Sequence, residues 1–184
     1  MSLTRLIICA MFTALIAILA QIAIPLPFSP VPFTGQVIGV LATAVLLGSK
    51  SGLLVISAYL LLGAAGAPVF SLTRGGIYIL TGPTGGYLWG FIPAVYFCGK
   101  IIESSEQPNQ YRTAAAMLTA LFFIYLVGGI QLGLIMGYNF RQVLLLGIAP
   151  FIPFDLFKAF LAAVLSIQIK KSLYQNRLEH ILKK

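Results

Sequence analysis

Two residues in this chain have types and spacing that could do chemistry in an apolar setting. Asp155 and Lys158 sit in the stretch 149–160, Ala-Pro-Phe-Ile-Pro-Phe-Asp-Leu-Phe-Lys-Ala-Phe, where every other residue is apolar. Three residues apart on a helix, their side chains share one face about one turn from each other, so they can offer an acceptor and a donor to one small polar molecule. A charge at the centre of a membrane-spanning helix costs about 2.5 to 3.5 kcal/mol on insertion. A leucine at either position would insert better, so a functional role is the default reading of the pair. The alternative is a mutual clasp that holds the helix, although buried ion pairs are often not net stabilising.

Around this pair the polar inventory is small. Arg74, in a glycine-rich segment, can bond a planar carboxylate through two parallel donors. Gln36, Tyr78 and Tyr87 are supporting candidates: an amide and amphipathic rings can bond polar edges and cover an apolar ring, although each also reads as an interfacial anchor or helix-end residue. An intramembrane enzyme would need a nucleophile and a base that meet, yet the single histidine, His180, is in the tail and Asp155 is the one acid inside an apolar run. Cys9 and Cys98 fall within apolar runs at no metal-ligand spacing and read as small buried hydrophobes. The glycine run 82–86 lacks the Gly-Lys-Ser/Thr ending and the preceding strand of a phosphate loop. No cofactor, metal site or catalytic set is expected.

The elements that must position these residues follow from composition. Hydrophobic residues make up 59% of the 184-residue chain and charged ones 9%, and the mean hydropathy of +0.98 is too high for a soluble surface. A span takes about 20 apolar residues, so the chain reads as one all-α integral membrane domain over 1–184, with no room for a soluble one. Six spans are expected, over about 6–24, 36–48, 53–65, 87–102, 113–136 and 143–169. A cleaved signal peptide is the rival reading of the first, but its removal would break the charge asymmetry described below.

Between the first two spans, Pro25, Pro27, Pro30 and Pro32 forbid helix, and the segment is apolar enough to tuck against the bundle. The second and third spans are short, which predicts flanking loops that dip into the membrane where protein shelters them. The segment 69–86 is the least regular and has the makings of a lid or binding loop. Small residues recur at helix-packing spacing in three places: Ala10, Ala14, Ala17 and Ala20; Gly82, Gly86 and Gly90; and Gly129, Gly133 and Gly137. Pro150 and Pro153 are placed to start or kink the last span.

Basic residues set the orientation. With six spans and the N-terminus inside, Arg5, Lys50, Lys100, Arg112 and the tail residues Lys170, Lys171, Arg177, Lys183 and Lys184 lie on the inner side, against Arg74 and Arg141 outside. The positive-inside rule therefore selects N-in, C-in. The tail reads as a basic anchor against anionic lipid, and the net charge of +8 does not form a single patch of the kind that binds nucleic acid. The Pro-rich connection, the Arg74 loop and the entry to the sixth span then share the outer side, with the Asp155–Lys158 pair a few turns below.

Three separated motifs carry a family resemblance: Pro25-Leu26-Pro27-Phe28-Ser29-Pro30-Val31-Pro32, then Gly82-Pro83-Thr84-Gly85-Gly86-Tyr87 with Gly90, and Pro153-Phe154-Asp155 with Lys158. Together, and in this order, the chain resembles the BioY family, the biotin-binding S components of energy-coupling factor transporters. The resemblance implies the six-helix S-component fold in the cell membrane and capture of biotin from outside. It also implies uptake driven by a separate module of one transmembrane coupling protein and two ABC-type ATPases. It further implies that Ala10 and Ala14 form the face that docks the coupling protein. Asp155 then accepts from a ureido N–H, Lys158 donates to the ureido carbonyl and Arg74 meets the carboxylate; the reverse, Lys158 on the carboxylate, stays open. The rival class is a stand-alone proton-coupled secondary transporter of a small carboxylated solute, with Asp155 as the proton carrier. Such a protein is normally built from two related halves, and no such repeat is visible.

Overall fold

The computed structural model describes residues 2–104 and 109–175, with side chains as far as Ser172. His180, Arg177, Lys183 and Lys184 of the basic tail lie outside the described residues. The helices are α1 (Leu3–Gln21), α2 (Gln36–Ala64), α3 (Ile77–Thr81), α4 (Gly85–Glu103), α5 (Gln110–Met136), α6 (Phe140–Val143) and α7 (Ile152–Gln175). Among the described residues, four helical stretches are long and apolar enough to cross a membrane: α1, α2, α5 and the part of α7 from Ile152 to Ser172. The chain is thus a predominantly helical, multi-pass membrane protein.

The stretch α2 contains both of the short spans expected over 36–48 and 53–65. Its backbone leaves helical geometry at Gly48, with φ 74° and ψ −171°, a conformation open essentially to glycine alone. The chain reverses there. A Cβ on Gly52 would lie 3.8 Å from the methyl of Thr43, whereas nine residues of straight helix span about 13 Å. Gln36 and Tyr59 likewise meet side chain to side chain at 2.6 Å. The second limb therefore begins at Ser49, and the expected gap before residue 53 does not exist. What replaces it is a cap from another helix: Glu103 accepts from the Ser49 N–H at 2.7 Å and from its hydroxyl at 3.0 and 2.9 Å. A carboxylate suits this place because a helix start carries free N–H groups and partial positive charge. Gly99 lets α4 come this close, since a Cβ there would sit 2.3 Å from the Ser49 nitrogen.

The Pro-rich connection is a β-hairpin, β1 (Ala23–Leu26) with β2 (Ser29–Thr34), the one sheet among the described residues of a chain expected to be all-α. Ala23 pairs with Thr34, Ile24 with Phe33 and Leu26 with Ser29, with an irregularity after Ile24. Prolines are tolerated because each strand is an edge strand. The hairpin is tied down at Ser29, whose hydroxyl donates to the Leu146 carbonyl at 2.6 Å and accepts from the Val31 N–H.

The expected sixth span from residue 143 also differs. Phe140–Val143 and the π-helical turn Leu144–Ile148 form a separate entry segment, and α7 proper starts at Ile152. Pro153 sits in its first turn, where the missing N–H costs nothing. Asp155 and Lys158 are thus in the first two turns of the last helix, not several turns down it.

The glycine faces divide. Gly86 and Gly90 press on α5, where a Cβ would come within 2.6 Å of Val127 and 2.9 Å of Ile124. Gly129 and Gly133 meet Val143, but Gly137 has open space around it and a φ of 67°, and it ends α5 as a left-handed cap. A Cβ on Gly82 would meet only its own turn, and its tie to α5 is through its carbonyl, which accepts from the Gln131 amide at 2.7 Å.

Candidate functional site

A cavity opens at the end of the bundle opposite Gly48, where the first limb of α2, α4 and α7 begin. It encloses about 610 Å³, including the part open to the exterior, and is walled by β2, α2, α4, α5, α7 and the loop after α2. Asp155 and Lys158 both line it, at 4% and 6% exposure. Their ion pair is 2.7 Å long, so the clasp reading of the sequence and the ligand reading describe the same atoms.

The pair keeps capacity for a ligand. The second oxygen of Asp155 accepts from the Tyr125 hydroxyl at 2.6 Å, and the Lys158 ammonium stands 3.7 Å from the centroid of the Phe33 ring. A carboxylate has about four acceptor positions and an ammonium three donors, so each group has unused positions. The cation–π contact ties the hairpin to the floor of the cavity, and Phe33 in turn packs edge-on to Phe154, with centroids 4.9 Å apart. The start of α7 adds a favourable dipole for the Asp155 charge.

Of the other residues singled out from sequence, Gln36 and Tyr87 line the cavity. Gln36 is locked: its amide nitrogen donates to the Tyr59 hydroxyl, its oxygen accepts from Thr34 at 3.1 Å, and Tyr59 passes the chain on to the Val69 carbonyl. Tyr87 donates to the Gly147 carbonyl at 2.8 Å, so its ring forms wall while its hydroxyl fixes the π-helical turn. Gly128 makes room for that ring, since a Cβ there would lie 2.4 Å from it. Arg74 and Tyr78 are exposed and not part of the lining. Ser71 and Ile79, near them in the chain, do line the cavity.

The loop that carries Arg74 is held in an unusual shape. Leu72 and Thr73 have φ of 60° and 58°, the left-handed region that costs a branched residue of order 1 to 3 kcal/mol. Gln21 accepts from the Thr73 N–H at 3.0 Å and donates to the Phe70 carbonyl at 3.2 Å, while Phe70 is buried against Tyr59, edge-on at 5.4 Å. Gly63 allows this, because a Cβ there would overlap the Phe70 ring. Within the irregular segment expected over 69–86, residues 70–74 are therefore a pinned strap beside the cavity, and Ile77–Thr81 form the short helix α3.

Sequence reasoning missed Tyr125 and Tyr59. The available signal was a tyrosine in mid-span, because a buried hydroxyl in an apolar helix needs a partner. It also missed Thr34, Ser71 and Thr84, three polar residues of the lining, which nothing in the pattern separates from ordinary loop residues. Ala10 and Ala14 both face outward on α1, and neither packs inside the bundle.

Comparison with known proteins gives a consistent result. The family model described as "BioY family" matches residues 1–175. The biotin transporter BioY of Thermotoga maritima is 42% identical over 167 residues, covering 91% of this chain and 96% of that protein. The probable biotin transporter BioY of Pyrococcus horikoshii is 37% identical, covering 88% and 93%. A crystal structure of the S-component for biotin from an ECF-type ABC transporter superposes with a TM-score of 0.84 at 30% identity, covering 91% of this chain and 90% of that one.

Proposed function

Because the chain belongs to the BioY family, we propose that it is the substrate-capturing subunit of a biotin uptake transporter. It binds biotin from the outer side of the cell membrane and hands it inward while docked on a transmembrane coupling protein driven by two ABC-type ATPases. The observation that carries this reading is the buried Asp155–Lys158 pair at the base of a mostly apolar cavity. It offers one acceptor and one donor side by side to a ligand with N–H donors, a carbonyl and an apolar ring. Asp155 accepts from a ureido N–H, Lys158 donates to the carbonyl oxygen, and Arg74 meets the carboxylate. Gln36 and Tyr87 shape the wall, and Tyr78 is a supporting contact.

The reading includes six spans: α1, the two limbs of α2, α4, α5 and α7. The reversal at Gly48 supports counting α2 twice. In support of N-in, C-in, Arg5 donates to Ser51 at 2.7 Å and Lys100 lies near Glu103. Residues assigned to the inner side thus share the end of the bundle opposite the cavity. A cysteine at Gly76 is expected to react with an impermeant thiol reagent from outside, and one at Gln107, which lies outside the described residues, is not. Labelling of Gln107→Cys alone would reverse the orientation.

The coupling partner docks on α1 through Ala10 and Ala14, which lie on its outward face between large exposed residues such as Leu6, Ile7 and Met11. Methyl-sized side chains allow a helix to approach closely. In the Ala10→Trp, Ala14→Trp double variant, biotin still binds while ATP-driven uptake and co-purification of the coupling protein are lost. Normal uptake would move the docking face elsewhere on α1. Identification of the molecule released on denaturing the purified protein tests the substrate itself, and a ligand other than biotin would overturn the assignment.

A further inference from the structure

On the face of α5 and α7 that turns away from the cavity, the two helices leave a groove of about 1230 Å³, counting the part open to the surroundings. Ala114, Ala159 and Ala163 are among the small residues that make it concave. Along α7 its apolar length runs from Leu156 to Ile167, eleven steps of about 1.5 Å or about 16 Å. That is close to half the roughly 30 Å thickness of a bilayer's hydrocarbon core. Beyond Ile167 the lining changes to Gln168 and Lys171 on α7, and to Gln110 and Tyr111 on α5. The groove is apolar for one leaflet's depth and polar at one end only.

That end is also positive. Lys171 is exposed there. Among the described residues, the start of the 27-residue helix α5 at Gln110 is capped by the Asn109 side chain alone, which accepts from the Tyr111 N–H, and the first-turn N–H groups with their partial positive charge face the same end. Arg112, in the same first turn, has a buried guanidinium nitrogen without a hydrogen-bond partner among the described residues. The outward face of α1 differs, since its exposed Leu6, Ile7 and Met11 carry no charge. A concave apolar length that ends in positive charge fits an amphiphile with a negative head, not a helix of a partner protein.

We infer that this groove seats an acyl chain of an anionic phospholipid, with the phosphate held by Lys171 and the start of α5. The inference is independent of which vitamin occupies the cavity, because none of these residues lines it. The test is native mass spectrometry of the purified protein from mixed micelles with phosphatidylglycerol and phosphatidylcholine of identical chains at equal concentration. The protein retains phosphatidylglycerol several-fold over phosphatidylcholine. Lys171→Gln lowers phosphatidylglycerol retention roughly five-fold and leaves phosphatidylcholine unchanged, as expected for one lysine near an anionic headgroup. Ala163→Phe, which fills the groove, removes both adducts, while circular dichroism and elution volume report that each variant is folded. Equal retention of the two lipids, indifferent to both substitutions, would overturn the inference. So would a dimer mass that disappears with Ala163→Phe, which would assign the groove to a second copy.

Discussion

Asp155–Lys158 and Lys100–Glu103 are both acid–base pairs three residues apart on a helix, and they do different work. The first is 2.7 Å long with both side chains under a tenth exposed; the second is 3.9 Å long with side chains 51% and 41% exposed. In the first, the ions hold each other and a cross-helix tyrosine completes the carboxylate. In the second, the lysine is nearly incidental and the carboxylate is spent on capping the limb that starts at Ser49. Spacing on a helix puts two charges on one face, but burial and the partners brought by other helices decide what the charges are for. A surface pair at that distance contributes about 0 to 1 kcal/mol, whereas breaking a buried one leaves an uncompensated charge.

The largest expected effect follows from that difference. Lys158→Met strands the Asp155 carboxylate and is expected to cost about 3 to 5 kcal/mol of stability, read as a lower thermal midpoint in detergent. The double variant Asp155→Leu, Lys158→Met recovers the parent midpoint and binds no biotin. A single variant as stable as the parent would show that the pair is not buried as described. At the other end of the bundle, Gly48→Ala places a Cβ within 2.4 Å of a Glu103 oxygen at a backbone angle that already costs about 1 to 3 kcal/mol for other residues. Its midpoint falls next furthest. Glu103→Ala removes the cap alone and costs about 1 kcal/mol, and Lys100→Ala changes stability by less than about 0.5 kcal/mol. Equal losses at Glu103 and Lys100 would mean that the ion pair, not the cap, matters there.

Much of this was legible in the sequence for physical reasons. A charged pair inside an apolar run is expensive, so it stands out, and both members do line the cavity. The break between two short spans was visible because Gly48 and Lys50 interrupt the run, but the missing loop was not. A reversal within one residue depends on Glu103, fifty-five positions downstream, and no local pattern carries that. The hairpin was hidden because prolines argue against a central strand and say nothing of an isolated pair. The start of α7 was misplaced by nine residues because a π-helical turn has the same apolar composition as a helix. Arg74 was chosen for its chemistry, and it is exposed outside the cavity lining, on a strap shaped by Gln21 and Phe70, contacts that no spacing rule supplies.

On the proposed reading, Asp155 holds biotin through a charge-assisted bond. Calorimetric titration of biotin into the parent protein and into Asp155→Asn, which keeps shape and loses charge, tests it most directly. Loss of a buried charge-assisted bond is expected to cost about 1.5 to 3 kcal/mol of binding, a roughly 10- to 150-fold weaker affinity, while the thermal midpoint reports the separate stability cost of leaving Lys158 without its ion partner. Unchanged biotin affinity in Asp155→Asn would rule Asp155 out as a ligand contact.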